Sequence, residues 1–184
     1  MLHLLQPEDG AEIPDDGPVE WAPLAPYWSI LWRSGVVLGR ELSRASLQGR
    51  RLIELGCGLA VPSLAAARAG AVVLATDARS EALELAERNA RANGIWIETA
   101  VFEWAHPDEL IASTPFDLVI AADILYERGT VAKLESLLPR LAPEAWIADP
   151  GRSAGEAFLE RARHRWAVKT TVGDPISIYR LNFA

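Results

Sequence analysis

Short apolar runs alternate with longer amphipathic runs along most of the chain. Residues 51–55, 71–76, 96–101, 116–122 and 145–148 are brief apolar runs of strand length, and residues 62–69, 80–93 and 130–141 carry apolar positions at helical spacing. Ser80 with Glu81 and Glu84 makes a good helix start, and Asn93-Gly94 a good stop. Upstream, Ile30, Leu31, Ser34, Val37, Leu38 and Leu42 recur at the same period, which predicts a helix of about four turns from Tyr27, closed by Gln48-Gly49. Strands alternating with helices imply βαβ units, a parallel sheet and helices on both of its faces. The tail departs from this pattern. After a helix over 154–163, residues 166–172 and 176–181 flank Gly173-Asp174-Pro175, which reads as an antiparallel hairpin at the sheet edge. Before Tyr27, Pro7, Gly10, Pro14, Gly17, Pro18, Pro23 and Pro26 interrupt every periodicity, so residues 1–26 read as an irregular arm on a single domain over 27–184.

Composition narrows the class. With 184 residues, half of them hydrophobic, the chain is long enough for one core and too short for two ordinary domains. A net charge of −7 disfavours nucleic acid as a partner, because phosphate binding rests on Lys and Arg. No apolar run approaches the roughly 20 residues that span a bilayer, and no basic-then-apolar leader opens the chain. Cys57 is the sole cysteine, which rules out an internal disulfide and fits a cytoplasmic protein. His3, His106 and His164 are scattered, so no metal site is expected. Seven tryptophans are many for this size, and a buried indole N–H needs a partner.

The chemistry concentrates in Glu54-Leu55-Gly56-Cys57-Gly58-Leu59-Ala60, between the first βαβ strand and its helix. In doubly wound sheets a ligand sits at the carboxyl ends of the strands where strand order reverses, and this loop is the expected place. Gly56 and Gly58 lack Cβ atoms, which lets backbone approach a ligand and adopt positive φ. Two cofactors compete. A dinucleotide calls for Gly-x-Gly-x-x-Gly, and the third position here is Val61. S-adenosylmethionine carries a sulfonium and an ammonium, and Glu54 before the glycines suits that charge. Asp77, ending the second strand, can accept hydrogen bonds from ribose hydroxyls of either. Cys57 reads as a small residue whose backbone lines the pocket.

Four segments carry a resemblance. Leu52 to Gly58, Ala75-Thr76-Asp77, the run from Phe116 to Tyr126 and Tyr27-Trp28-Ser29-Ile30-Leu31-Trp32 together resemble the seven-β-strand protein-lysine methyltransferases, a group acting on chaperones, elongation factors and the electron-transfer flavoprotein β subunit. The resemblance spans roughly residues 26–182. It implies a Rossmann-like α/β fold with a seven-stranded, mostly parallel sheet, S-adenosylmethionine as cofactor and S-adenosylhomocysteine as product. It assigns cofactor contacts to Trp32, Gly56, Cys57, Gly58, Asp77, Trp104 and Ala122, beside the Glu54 read from its charge, and places Asp123 and Tyr126 beside the acceptor. Asp123 is then positioned to accept a hydrogen bond from the amine, and Tyr126 to wall the channel or bind the same nitrogen. Trp32 and Trp104 become cofactor walls; Trp21, Trp96, Trp146 and Trp166 are assigned to packing, and Trp28 to either. Asp149-Pro150-Gly151-Arg152, with Pro26-Tyr27-Trp28, is similar to the branch acting on the flavoprotein β subunit, and puts Arg152 at the rim facing a protein acceptor. Pro150 and Gly151 also suit a type II turn. The chain departs from the family at Ala60, where a third glycine is common, at Arg33, where proline is common, and in its short arm. A small-molecule methyltransferase and a non-catalytic cofactor-binding module are the alternatives.

Overall fold

The computed structural model describes residues 1–6, 27–104 and 106–183. Among them, seven strands form one sheet: β1 (Arg51–Leu55), β2 (Val72–Asp77), β3 (Glu98–Val101), β4 (Leu118–Ala122), β5 (Glu144–Asp149), β6 (Ala167–Thr171) and β7 (Ser177–Asn182). Their order is β3-β2-β1-β4-β5-β7-β6. The first five run parallel, while β7 pairs antiparallel with both β5 and β6. Both the parallel sheet and the terminal hairpin expected from the sequence are present, with β6 at the edge.

Alternation within the strands separates two cores. In β1 and β4, Ile53, Leu55, Val119 and Ala121 face one side with Leu134, Leu138 and Phe158 from the helices α5 (Arg128–Leu141) and α6 (Ser153–Arg165). Leu52, Leu118 and Ile120 face the other, against Leu38 and Leu42 of α1 (Arg33–Leu42), Leu64 of α2 (Val61–Arg68), and Leu83 and Ala86 of α3 (Ser80–Ala92). Each apolar run therefore serves two layers at once, which is why it reads as continuous rather than alternating.

Three local expectations change. The helix expected from Tyr27 is split: a single 3-10 turn covers Tyr27–Ser29, and α1 starts only at Arg33. Trp32 has extended backbone (φ −71°, ψ 133°), and its indole N–H returns to the carbonyl of Tyr27 at 3.0 Å, so the chain bends where the pattern continues. A short helix, α4 (Asp108–Ala112), occupies the linker before β4. Trp96 is 69% exposed and packs little, because β3 begins two residues later at the sheet edge. Trp146 and Trp166 do pack: Trp146 is buried under Arg180 with its N–H on Glu144, and Trp166 meets Phe158 and Phe183. Trp28 is half-buried against Leu59, Val61 and Leu85.

Of the arm, residues 7–26, including Trp21, lie outside the described residues. Residues 1–6 run without regular structure along α3. Asn93 exchanges hydrogen bonds with the N–H and C=O of His3, and Asn89 with those of Leu5. The fully buried Asn89 also donates to the carbonyl of Leu59 in the glycine loop.

Candidate active site

Strand order reverses between β1 and β4, and the loop leaving β1 crosses the carboxyl ends of the strands there. Gly56 (φ +68°) and Gly58 (φ +47°) take left-handed backbone that a side chain would strain, and Ala60 follows at φ 59°. A Cβ on Gly58 would lie 2.8 Å from the carbonyl oxygen of Trp28. The space Gly58 vacates thus admits the chain's own backbone, where the spacing alone suggested a ligand. At Gly56 a Cβ would approach Ile124 at 3.3 Å and the Trp104 ring at 3.7 Å, which places Trp104 directly beside the loop.

The end of β2 holds this loop in shape. Cys57 N–H donates to the Thr76 carbonyl at 2.9 Å, and Gly58 N–H donates to a carboxylate oxygen of Asp77 at 3.0 Å. The other Asp77 oxygen accepts from Arg79 N–H at 3.1 Å. Cys57 is buried, which raises its thiol well above the ordinary range, and the nearby carboxylates of Glu54 and Asp77 reinforce this. It packs in the buried core and is a poor nucleophile. Beyond Asp77, Phe102 N–H donates to the Asp77 carbonyl, and a depression opens over Val101, Phe102, Glu103 and His106.

Glu54 is placed differently from the expectation that it lends negative charge to a cofactor. It is 1% exposed and lies behind the loop, accepting hydrogen bonds from the backbone N–H and hydroxyl of Ser63 in the first turn of α2. Burial pushes its carboxyl up to about 8, against the lowering effect of Ser63. Its side chain secures a helix start and is largely uncharged at neutral pH.

At the ends of β4 and β5, sequence-distant groups converge. Asp123 follows β4 with φ +61°, a conformation aspartate tolerates, while its N–H continues the ladder to Ala148 at 3.0 Å. Its carboxylate forms an ion pair with the Arg152 guanidinium. That guanidinium stands 3.8 Å from the second oxygen of Asp149 and 5.9 Å from the ring centroid of Trp32, which stacks on exposed Tyr27. Gly151 has φ +85°, as a Pro-Gly turn of type II requires, and Arg152 reaches back onto Asp123. Asp149 is fully buried. One of its oxygens accepts from Gly151 N–H (2.7 Å) and Arg152 N–H (3.0 Å), and the other has no hydrogen-bond partner. Burial raises its carboxyl above the usual range, opposed by those hydrogen bonds and by Arg152. Tyr126 is 60% exposed; partial burial, then the charges of Glu127 and Asp77, raise its hydroxyl. Ala122 is half-buried at the end of β4.

Sequence reasoning therefore located the loop, Asp77, Trp104, Asp123 and Trp32, and the structure brings them to one end of the sheet. It missed Asp149 as a buried carboxylate and the pairing of Arg152 with Asp123. Among the described residues, no group of three or more His, Cys, Asp or Glu is placed to hold a metal ion, and no helix is long and apolar enough to cross a membrane. The chemistry at the strand ends fits S-adenosylmethionine: the Asp77 carboxylate beside the loop is an acceptor suited to ribose hydroxyls, and the indole face of Trp32 is suited to a sulfonium.

Residues 28–148 match the protein family described as lysine methyltransferase. The chain is 28% identical to the histone-arginine methyltransferase of Homo sapiens over 152 residues, covering 76% of this chain and 78% of that protein. It is 29% identical to a protein N-lysine methyltransferase of Danio rerio over 166 residues, covering 83% and 76% respectively. Against the electron transfer flavoprotein beta subunit lysine methyltransferase of Danio rerio, identity is 29% over 162 residues, and the chain spans 61% of that protein's length. Among solved structures, the ribosomal protein L11 methylase of Lactobacillus delbrueckii superposes with TM-score 0.61 at 20% identity, covering 98% of this chain and 97% of that one. The magnesium protoporphyrin IX methyltransferase of Synechocystis, with bound S-adenosylmethionine, gives 0.60 at 17% identity, covering 83% and 78%. Both show a shared fold.

Proposed function

The chain belongs to the lysine methyltransferase family, and from that premise we propose that it transfers the methyl group of S-adenosylmethionine to the side-chain amine of a lysine in a protein. The observation that carries this reading is that the matched segment contains the glycine loop, Asp77 and Asp123, which the fold gathers at the strand ends. In this reading Trp32, Gly56, Cys57, Gly58, Asp77, Trp104 and Ala122 hold the cofactor, Glu54 steadies the loop from behind, and Asp123 and Tyr126 face the acceptor. When bound, S-adenosylmethionine supplies an activated methyl group. Asp77 fixes the ribose end, and the indole of Trp32 shields the methionine end. Asp123 takes an N–H of the amine and directs its lone pair, so the enzyme works mainly by alignment. A free lysine amine titrates near 10.4; it enters beside Asp123 as a cation and attacks only after giving up a proton to solvent, which frees the lone pair.

Transfer to arginine is a second reading with its own support. The carboxylate of Asp123 already accommodates a guanidinium, that of Arg152, and one relative is named for arginine. The electron-transfer flavoprotein β subunit is the protein acceptor favoured by the Asp-Pro-Gly-Arg turn and by the relative named for it.

Incubating a lysate with the protein and donor labelled in the methyl group, then identifying the labelled protein by mass and hydrolysing it to amino acids, tests all of these. Methyl-lysine supports the first reading, methyl-arginine the second, and label confined to small molecules would overturn both. Asp123→Ala should bind S-adenosylhomocysteine like the wild type and transfer at least about a hundredfold more slowly. Undiminished turnover would remove Asp123 from the mechanism.

A further inference from the structure

The groups around Asp123 form a receptor for a cation, and it is filled from within. Two carboxylates border it: Asp123, with its side chain 8% exposed, and Asp149, at 1%. The Trp32 ring closes one side. Carboxylates and an indole face are what recognise an ammonium or guanidinium group. Resting on the reading of Asp123 as the acceptor's partner, we propose that Arg152 is an internal occupant of the acceptor's cation seat, which the incoming basic side chain displaces.

The attachment of Arg152 fits an occupant that leaves. Its backbone is fixed, because Asp149 holds the N–H groups of Gly151 and Arg152 through one oxygen. Its guanidinium is held differently, by Asp123 and by proximity to the second Asp149 oxygen, which forms no hydrogen bond. A third of the Arg152 side chain faces solvent (34%), so rotation about its own bonds returns the charge to water without moving the turn. Stripping a cation from a nearly buried carboxylate is costly when nothing replaces it. Exchange of one cation for another uncovers no charge, so the occupant keeps Asp123 compensated between turnovers and sets a threshold that weakly basic or neutral side chains do not meet. Apparent affinity for the acceptor is then reduced by the fraction of molecules with the seat free.

Methylguanidinium serves as the probe. It is titrated into protein saturated with S-adenosylhomocysteine, and the indole N–H signal of Trp32, assigned with Trp32→Phe, is followed by nitrogen-15 NMR. Arg152→Ala should bind the probe at least about tenfold more tightly than the wild type. Arg152→Lys, which keeps a cation in place, should exclude it as the wild type does, and Asp123→Asn added to Arg152→Ala should abolish the gain. Equal affinity in wild type and Arg152→Ala, or a gain that survives Asp123→Asn, would overturn the proposal. The amide spectrum of each variant reports folding. The cofactor reading is tested separately: a protein that ignores S-adenosylhomocysteine yet shows the Arg152→Ala gain loses its methyl donor and keeps its seat.

Discussion

Burying Glu54 behind the glycine loop makes stability depend on pH in a definite direction. Its carboxyl is raised from 4.5 to about 8 in the fold, so between those values the folded chain retains a proton that the unfolded chain releases. Stability should therefore fall as pH rises through that window, by up to about 1.4 kcal/mol per pH unit from this group. Glu54→Gln, which keeps an acceptor for Ser63, should flatten the slope in urea denaturation; an unchanged slope would show that Glu54 does not set it. Glycines separate by the same arithmetic. Gly58→Ala meets both positive φ and the Trp28 carbonyl, whereas Gly151→Ala meets positive φ with nothing within 4 Å. Melting should show a loss of about 3 kcal/mol for the first and about 1 for the second. The glycines and Asp77 were legible because one loop and one strand end carry them. The ion pair of Arg152 with Asp123 was not, because 29 residues separate two charges that only the fold brings together.

Elements were legible where burial on two faces forces continuous apolar runs, as in β1 and β4. They were misread where tertiary contact overrides period: the apolar spacing from Ile30 to Leu42 continues a helix on paper, yet the Trp28 carbonyl seats on Gly58 and the chain turns at Trp32. The helix α4 offered only five residues, with Asp108 and Glu109 as its start signal. Asn89 on α3 and Asn93 just past its end give a test at this scale. Asn89 joins Leu5 to Leu59 of the loop from a fully buried position, while Asn93 bonds only to residues outside the loop, among them His3. Asn89→Ala should cost about 2 kcal/mol and weaken S-adenosylhomocysteine binding. Asn93→Ala should cost less than about 1 kcal/mol and leave binding unchanged. Calorimetry on the two variants checks both, and equal losses of affinity would remove the link through Leu59.

Across the whole molecule, the candidate site draws on the ends of β1, β2, β4 and β5 and on the start of α1, so a cofactor there binds only the assembled sheet. S-adenosylhomocysteine at a hundred times its dissociation constant should add about 2.7 kcal/mol. For a chain of this length that raises Tm by roughly 5–10 °C; an unmoved Tm would mean that the site lies elsewhere. The sheet order has a further consequence for synthesis. β7 follows β6 in the chain, yet it lies between β5 and β6 and is the neighbour of both. While the chain is being made, β1 to β5 can pair as they emerge, but β6 has no place to dock and the outer edge of β5 stays open until residues 177–182 leave the ribosome. Nascent chains stalled before Ser177 should accordingly be the protease-sensitive and aggregation-prone ones.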